Sequence, residues 1–158
     1  MTELDADLQE VVDQTKEDLI RTLEKGDESV MMLLRFHLFT ENMLERIMLG
    51  KLPRGDRVID KGQLTYYQKL WLVASFEIVS DRAIRSLENL NALRNKCTHQ
   101  RDRRISLSDV EPIGRPFGNQ FARIKRDFRD DLKRLITAVF AAISGNVAAA
   151  VYKAEHKQ

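Results

Sequence analysis

Ser86-Leu87-Glu88-Asn89-Leu90-Asn91-Ala92-Leu93-Arg94-Asn95-Lys96-Cys97-Thr98-His99-Gln100-Arg101 is the stretch on which the reading of this chain turns. Leu87, Leu90, Leu93 and Cys97, with Ala92 near them, recur at three- and four-residue steps and mark one buried stripe of a helix. Asn95 and His99 lie four apart and share a helix face. Lys96, Arg101, Arg103 and Arg104 crowd the end of this stretch, where a helix C-terminus favours cations. That preference accounts for the cations but not for Asn95 or His99. On a regular helix Arg94 and His99 point about 140° apart. They converge only if the helix ends or distorts near His99, if the long arginine wraps round it, or if two chains meet across a two-fold axis.

Arg94-Asn95-Lys96-Cys97-Thr98-His99 resembles the Arg-polar-x-x-x-His motif of HEPN domains, small helical bundles that include metal-independent ribonucleases and toxins of toxin–antitoxin pairs. Phe36 to Asn42 and Leu64 to Leu70 also resemble bacterial HEPN-like proteins, and the likeness spans roughly residues 30 to 140. The resemblance implies catalytic roles for Arg94, Asn95 and His99; Glu41, a carboxylate on a largely apolar helix, is a further candidate read from the residues themselves. It implies RNA-backbone contacts for Lys96, Arg101, Arg103 and Arg104, and a homodimer whose two motifs face one cleft. In HEPN toxins paired with nucleotidyltransferases a tyrosine commonly follows the histidine by two residues; here that position is Arg101, so such a partner is not expected. Ile105 to Glu111 also looks like the mannitol operon repressor group. The second reading is therefore a non-catalytic regulatory or interaction module. The protein partner expected is an antitoxin for the toxin reading or a regulatory protein for the module.

The remaining chain fits a single all-α domain. Its 158 residues, 43% hydrophobic, can build one core, and seven Gly and three Pro suit long helices with short connections. The fold expected is an up-down bundle of four to five main helices, with an acidic helix in 1–28, a HEPN-like core in 29–143 and a helix end and tail in 144–158. One cysteine excludes an internal disulfide framework. No run approaches about 18 consecutive apolar residues, and the acidic N-terminal stretch is unlike a signal or transit peptide. A cytoplasmic location without membrane contact is the expectation. With His37, His99 and His156 dispersed, no metal or other cofactor is expected.

Leu4, Leu8, Val11, Val12, Thr15, Leu19, Ile20 and Leu23 trace an amphipathic helix over 3–25. A second helix, capped by Asp27 or Ser29 and ending at Gly50, is apolar on nearly every face, so it is central or meets a second copy. Residues 51–56 read as a loop by composition, and the reading stays open from there to Gly62. A third helix, with Thr65 as candidate cap, runs through Phe76, and Ser80-Asp81 caps the motif helix. Residues 102–118 read as a long polar loop, functional or mobile. Asn119 opens one last helix carrying Phe121, Ile124, Phe128, Leu132 and Leu135.

Residues 1–30 carry ten acidic and three basic residues, a balance of −7, against +9 for the remainder. That asymmetry fits a basic surface for a polyanion as well as ordinary solvation of helix surfaces. Glu41 is expected to pair with Arg94 or His99, or to face solvent beside Arg46. His37 reads as a packed structural histidine. Tyr66, Tyr67 and Trp71 read as core in preference to base-stacking platforms.

Overall fold

The computed structural model describes residues 27–100 and 102–156; the helix expected over 3–25 and Arg101 lie outside them. Among the described residues there are seven α-helices and no strand: α1 Glu28–Lys51, α2 Gly55–Gly62, α3 Tyr66–Ala74, α4 Asp81–His99, α5 Leu107–Gly114, α6 Asn119–Asp127 and α7 Leu132–Glu155. A single 3-10 turn, Arg115–Phe117, joins α5 to α6. The all-α expectation holds, but the count of four to five helices does not.

The expected caps form where side-chain oxygens can meet the unpaired amides of a first helical turn. Asp27 accepts from Ser29 N at 2.9 Å and starts α1. Thr65 and Gln68 form a reciprocal capping box at α3. Ser80 caps α4 through the amide of Ala83.

Three connections differ from the sequence reading. The loop expected over 51–56 gives way to helix α2 from Gly55, and the open stretch to Gly62 is helical; Gly55 presses against the last turn of α1, and a Cβ there would come within 2.6 Å of the Met48 carbonyl oxygen. The supposed loop over 102–118 is mostly helical: Ser106 and Asp109 form a capping box, and α5 carries Pro112 inside it. Val110, Ile113 and Phe117 from this segment are core residues. Those few apolar positions, spread among Pro and Gly, are too sparse to display a helical period. The last helix is two helices, since the chain turns at residues 128–131 and Asp131 recaps α7 by accepting from Arg134 N at 3.0 Å. α3 ends at Ala74, two residues short of Phe76.

α1 and α7, 24 residues each, form the main contact of the bundle. Lys133 lies 2.5 Å from Glu28, the rings of Phe36 and Phe140 stack with centroids 3.9 Å apart, and Arg46 pairs with Glu155 at 2.8 Å. These contacts advance together along both chains, so the two helices run parallel. A plain up-down bundle is therefore not what forms. The backbones come closest where Gly50 meets Ala154. α7 is long and apolar enough in composition to match a membrane span, and 44% of its most apolar window is buried in the bundle. After Gly145 it stays helical to Glu155, and one face of that stretch is core: Val147, Ala150, Val151 and Ala154 are all buried.

Candidate functional site

α4 runs antiparallel to α1 and delivers the motif to a cleft of about 470 Å³. His37 and Glu41 from α1, Thr65, Tyr66 and Tyr67 from the start of α3, and Asn91, Arg94 and Asn95 from α4 line it. His37 and Glu41 are one turn apart, as are Asn91 and Asn95, so each helix offers one face to the cleft.

His37 forms the floor. It is buried, its Nε2 lies 2.9 Å from Asn91 Oδ1, and its ring stacks on Tyr66 with centroids 4.0 Å apart. With Asn91 presenting an acceptor, Nε2 carries the hydrogen and Nδ1 is the basic nitrogen of the neutral ring. Burial lowers the His37 pKa from its ordinary value; the Asn91 bond and Glu41 oppose this, and the Arg94 charge adds to it. The Thr40 hydroxyl donates to the His37 carbonyl at 2.9 Å. Having one hydrogen, it must accept from Tyr66 Oη, also at 2.9 Å. Burial pushes the Tyr66 phenol far up, so it stays neutral.

Arg94 is half-buried at the cleft wall and donates from Nη1 to Asn95 Oδ1 at 3.2 Å. Among the described residues no carboxylate pairs with it. α4 stays helical through His99, with Gln100 as its C-cap, so no distortion brings His99 round to Arg94. Taking Asn91 as zero, Arg94 stands at about −60°, Asn95 at +40° and His99 at +80°. Arg94 and His99 thus flank one face from opposite sides, with His99 exposed about 6 Å further along the axis than Asn95.

The other expected site residues divide. Glu41 reaches neither Arg94 nor Arg46: Lys69 Nζ lies 2.7 Å from both Glu41 and Glu45, and Arg46 is taken by Glu155. Burial alone would depress the Lys69 ammonium, but the two carboxylates outweigh it and raise its pKa. Lys96 and Arg104 are exposed. Arg103 is committed to Asp109 at 2.6 Å and Gln100 at 2.8 Å, so it braces the start of α5 instead of offering a free cation. Tyr66 is core as expected, whereas Tyr67 and Trp71 are 50% and 45% exposed, which overturns that expectation for both. His37 is the packed histidine expected, but it also lines the cleft. That role, and the parts of Asn91 and Tyr67, were missed. The one-turn spacings were visible; that these faces oppose one another was not.

Among the described residues no three His, Cys, Asp or Glu side chains gather as metal ligands. The arrangement offers a guanidinium, a neutral imidazole, amides and phenols around a space of nucleotide size, which suits an anionic, ring-bearing ligand. Comparisons with family models, curated proteins and solved structures return no match to this chain.

Proposed function

We propose that this chain is a HEPN-like ribonuclease cleaving RNA without a metal, acting as a homodimer in a toxin or defence system. The observation that carries this reading is that Arg94 and Asn95 line one cleft, with His99 outside its lining on the flank opposite Arg94, about 140° round the same helix. A ribose 2′-hydroxyl loses its proton to a base and its oxygen attacks the adjacent phosphorus. The P–O5′ bond breaks, the 5′-oxygen takes a proton from an acid, and a 2′,3′-cyclic phosphate is left. Arg94 stabilises the dianionic phosphorane through its planar fork of donors. His99, from the same chain or across a two-fold axis, transfers protons. Asn95 orients a phosphate oxygen. Lys96 and Arg104 attract the backbone without regard to sequence. Glu41, paired with Lys69, lines the cleft and has no part in this scheme.

The test is incubation of purified chain with single-stranded RNA in excess EDTA. Cleavage to cyclic-phosphate ends, abolished by Arg94→Ala and by His99→Ala with helicity retained, is the expected result. Cleavage that stops with EDTA, or that survives loss of His99, defeats the mechanism. The second reading, a regulatory interaction module, draws support from the solvent face of α1. Met31, Leu38 and Leu49 lie there seven and eleven residues apart, 41%, 64% and 52% exposed.

A further inference from the structure

Tyr67 and Trp71 sit one turn apart on α3 and touch edge to face, with centroids 6.1 Å apart and ring planes at 65°. Each has about half its surface in water, although large aromatics are usually covered. Tyr67 forms one wall of the Arg94 cleft. Trp71 forms one wall of a second depression of about 480 Å³, with Ala74, Ser75, Asp81, Ile84 and Arg85. Both depressions have walls from α3 and α4, the first with α1 as well, and Tyr67 meets the later part of α4 while Trp71 meets its start. The two helices are therefore antiparallel, and the aromatic pair is the ridge between two neighbouring hollows. Arg94 lines the first hollow and Arg85 the second; nine residues apart on α4, they leave the helix about 180° from each other, and among the described residues neither is paired with a carboxylate.

We propose that this α3–α4 face is a track for single-stranded RNA, with Tyr67 and Trp71 stacking bases and Arg85 and Arg94 holding phosphates. The choice of RNA as ligand rests on the ribonuclease reading above. The chemistry of the face agrees with it: two exposed rings offer π-faces to any base, and forked cations flank them. In a duplex the base faces are occupied by neighbours, so only a single strand can use them. A second copy of the chain is a poorer occupant. The aromatic ridge is bordered by Thr65, Asn91 and Asn95, whereas the exposed aliphatic residues suited to self-association lie on α1. Asp81 and Glu88 also lie on this side of α4, so the track is not strongly basic and stacking carries most of the binding. The two phosphate contacts of the track contribute about −1.4 to the logarithmic salt slope, roughly sevenfold weakening between about 50 and 200 mM salt, to which Lys96 and Arg104 add.

Trp71 is the sole tryptophan, so its emission reports the track directly. The experiment titrates the His99→Ala variant with an unstructured RNA of about 12 nucleotides and with the same strand annealed to its complement. Quenching by the single strand and not by the duplex is expected. By polarisation of a labelled strand, Tyr67→Ala and Trp71→Ala should each weaken binding about tenfold or more, the effect of one lost base stack. Unchanged affinity in both variants overturns the track. So does conversion of a dimer to a monomer by Trp71→Ala in sedimentation, which would make this face a contact between copies. Wild-type cleavage with KM unaltered by either substitution sinks the track and leaves the ribonuclease reading standing. Quenching by the single strand without cleavage by wild type supports the track and sinks the ribonuclease reading.

Discussion

The imidazole Nε2 of His37 lies 2.9 Å from the Oδ1 of Asn91, and this bond ties the hydrophobic helix α1 to the motif helix α4 under the candidate site. The floor of the cleft is therefore a neutral histidine whose hydrogen bonding depends on one amide. Its consequences for stability are measurable.

Asn91→Ala should leave the buried Nε2–H without an acceptor and cost about 1–3 kcal/mol of unfolding free energy. The pH dependence has a definite sign. The folded pKa of His37 is lowered, foremost by burial, so the unfolded chain takes up a proton near pH 6.5 while the folded chain resists it until lower pH. The unfolded state then holds more protons, and stability falls as pH drops from about 6.5 to the folded value. His37→Gln should flatten the urea-midpoint curve over that interval. An unchanged curve would show that His37 is not the group responsible.

Lys69 is buried between Glu41 and Glu45, and Lys69→Met removes the cation both carboxylates share. The loss should be about 3 kcal/mol near neutral pH. It should shrink as pH rises past the ordinary lysine range: burial lowers the Lys69 pKa but its two carboxylates raise it overall, and once that raised value is passed the wild type loses the cation too. Thermal melts of wild type and variant from neutral to alkaline pH check both magnitude and trend. A penalty that does not vary with pH would contradict the shared-cation account.

Arg103 and Arg104 are neighbours in sequence with opposite roles. Arg103→Ala breaks the half-buried pair with Asp109 and should cost about 1–3 kcal/mol, loosening the start of α5. Arg104→Ala should leave the melting temperature unchanged and reduce the salt slope of RNA binding by about 0.7. Calorimetry and salt-dependent polarisation separate the two. Equal effects on stability would show that the pair with Asp109 contributes nothing.

Arg94→Lys separates charge from shape at the motif. An ammonium keeps the positive charge but cannot present parallel donors to two phosphoryl oxygens. Cleavage should fall about 10²-fold or more, with KM changing far less than kcat, as for loss of a group acting on the transition state. Near-normal kcat would mean that Arg94 supplies only general electrostatic attraction.

Gly50→Ala tests the parallel α1–α7 contact. The added methyl would collide with the backbone of Ala154, which cannot swing aside as a side chain could. Overpacking of this kind costs about 1–3 kcal/mol. Gly145→Ala, with open space at its Cβ, should be neutral or slightly stabilising in the same melts.

Periodicity and capping chemistry are local, and so they were legible in the residues alone. The stripe Leu87, Leu90, Leu93 and Cys97 identified α4, and Asp27, Thr65 and Ser80 marked three helix starts, because a helix is specified within a few turns of its own sequence. α2 and α5 were not legible. Gly55 and Pro112 read as breakers, and only close packing against α1, and burial of Val110 and Ile113, makes those short helices worthwhile. The parallel course of α1 and α7 likewise depends on contacts across more than a hundred residues. The partners of Glu41, the exposure of Trp71 and the meeting of His37 with Asn91 follow from which faces oppose one another. Each amphipathic stripe says that a face is covered, but hydrophobic burial is non-directional and does not say by what. The motif could therefore be read from spacing, whereas the cleft in which Arg94 meets His37 exists only once the helices are docked.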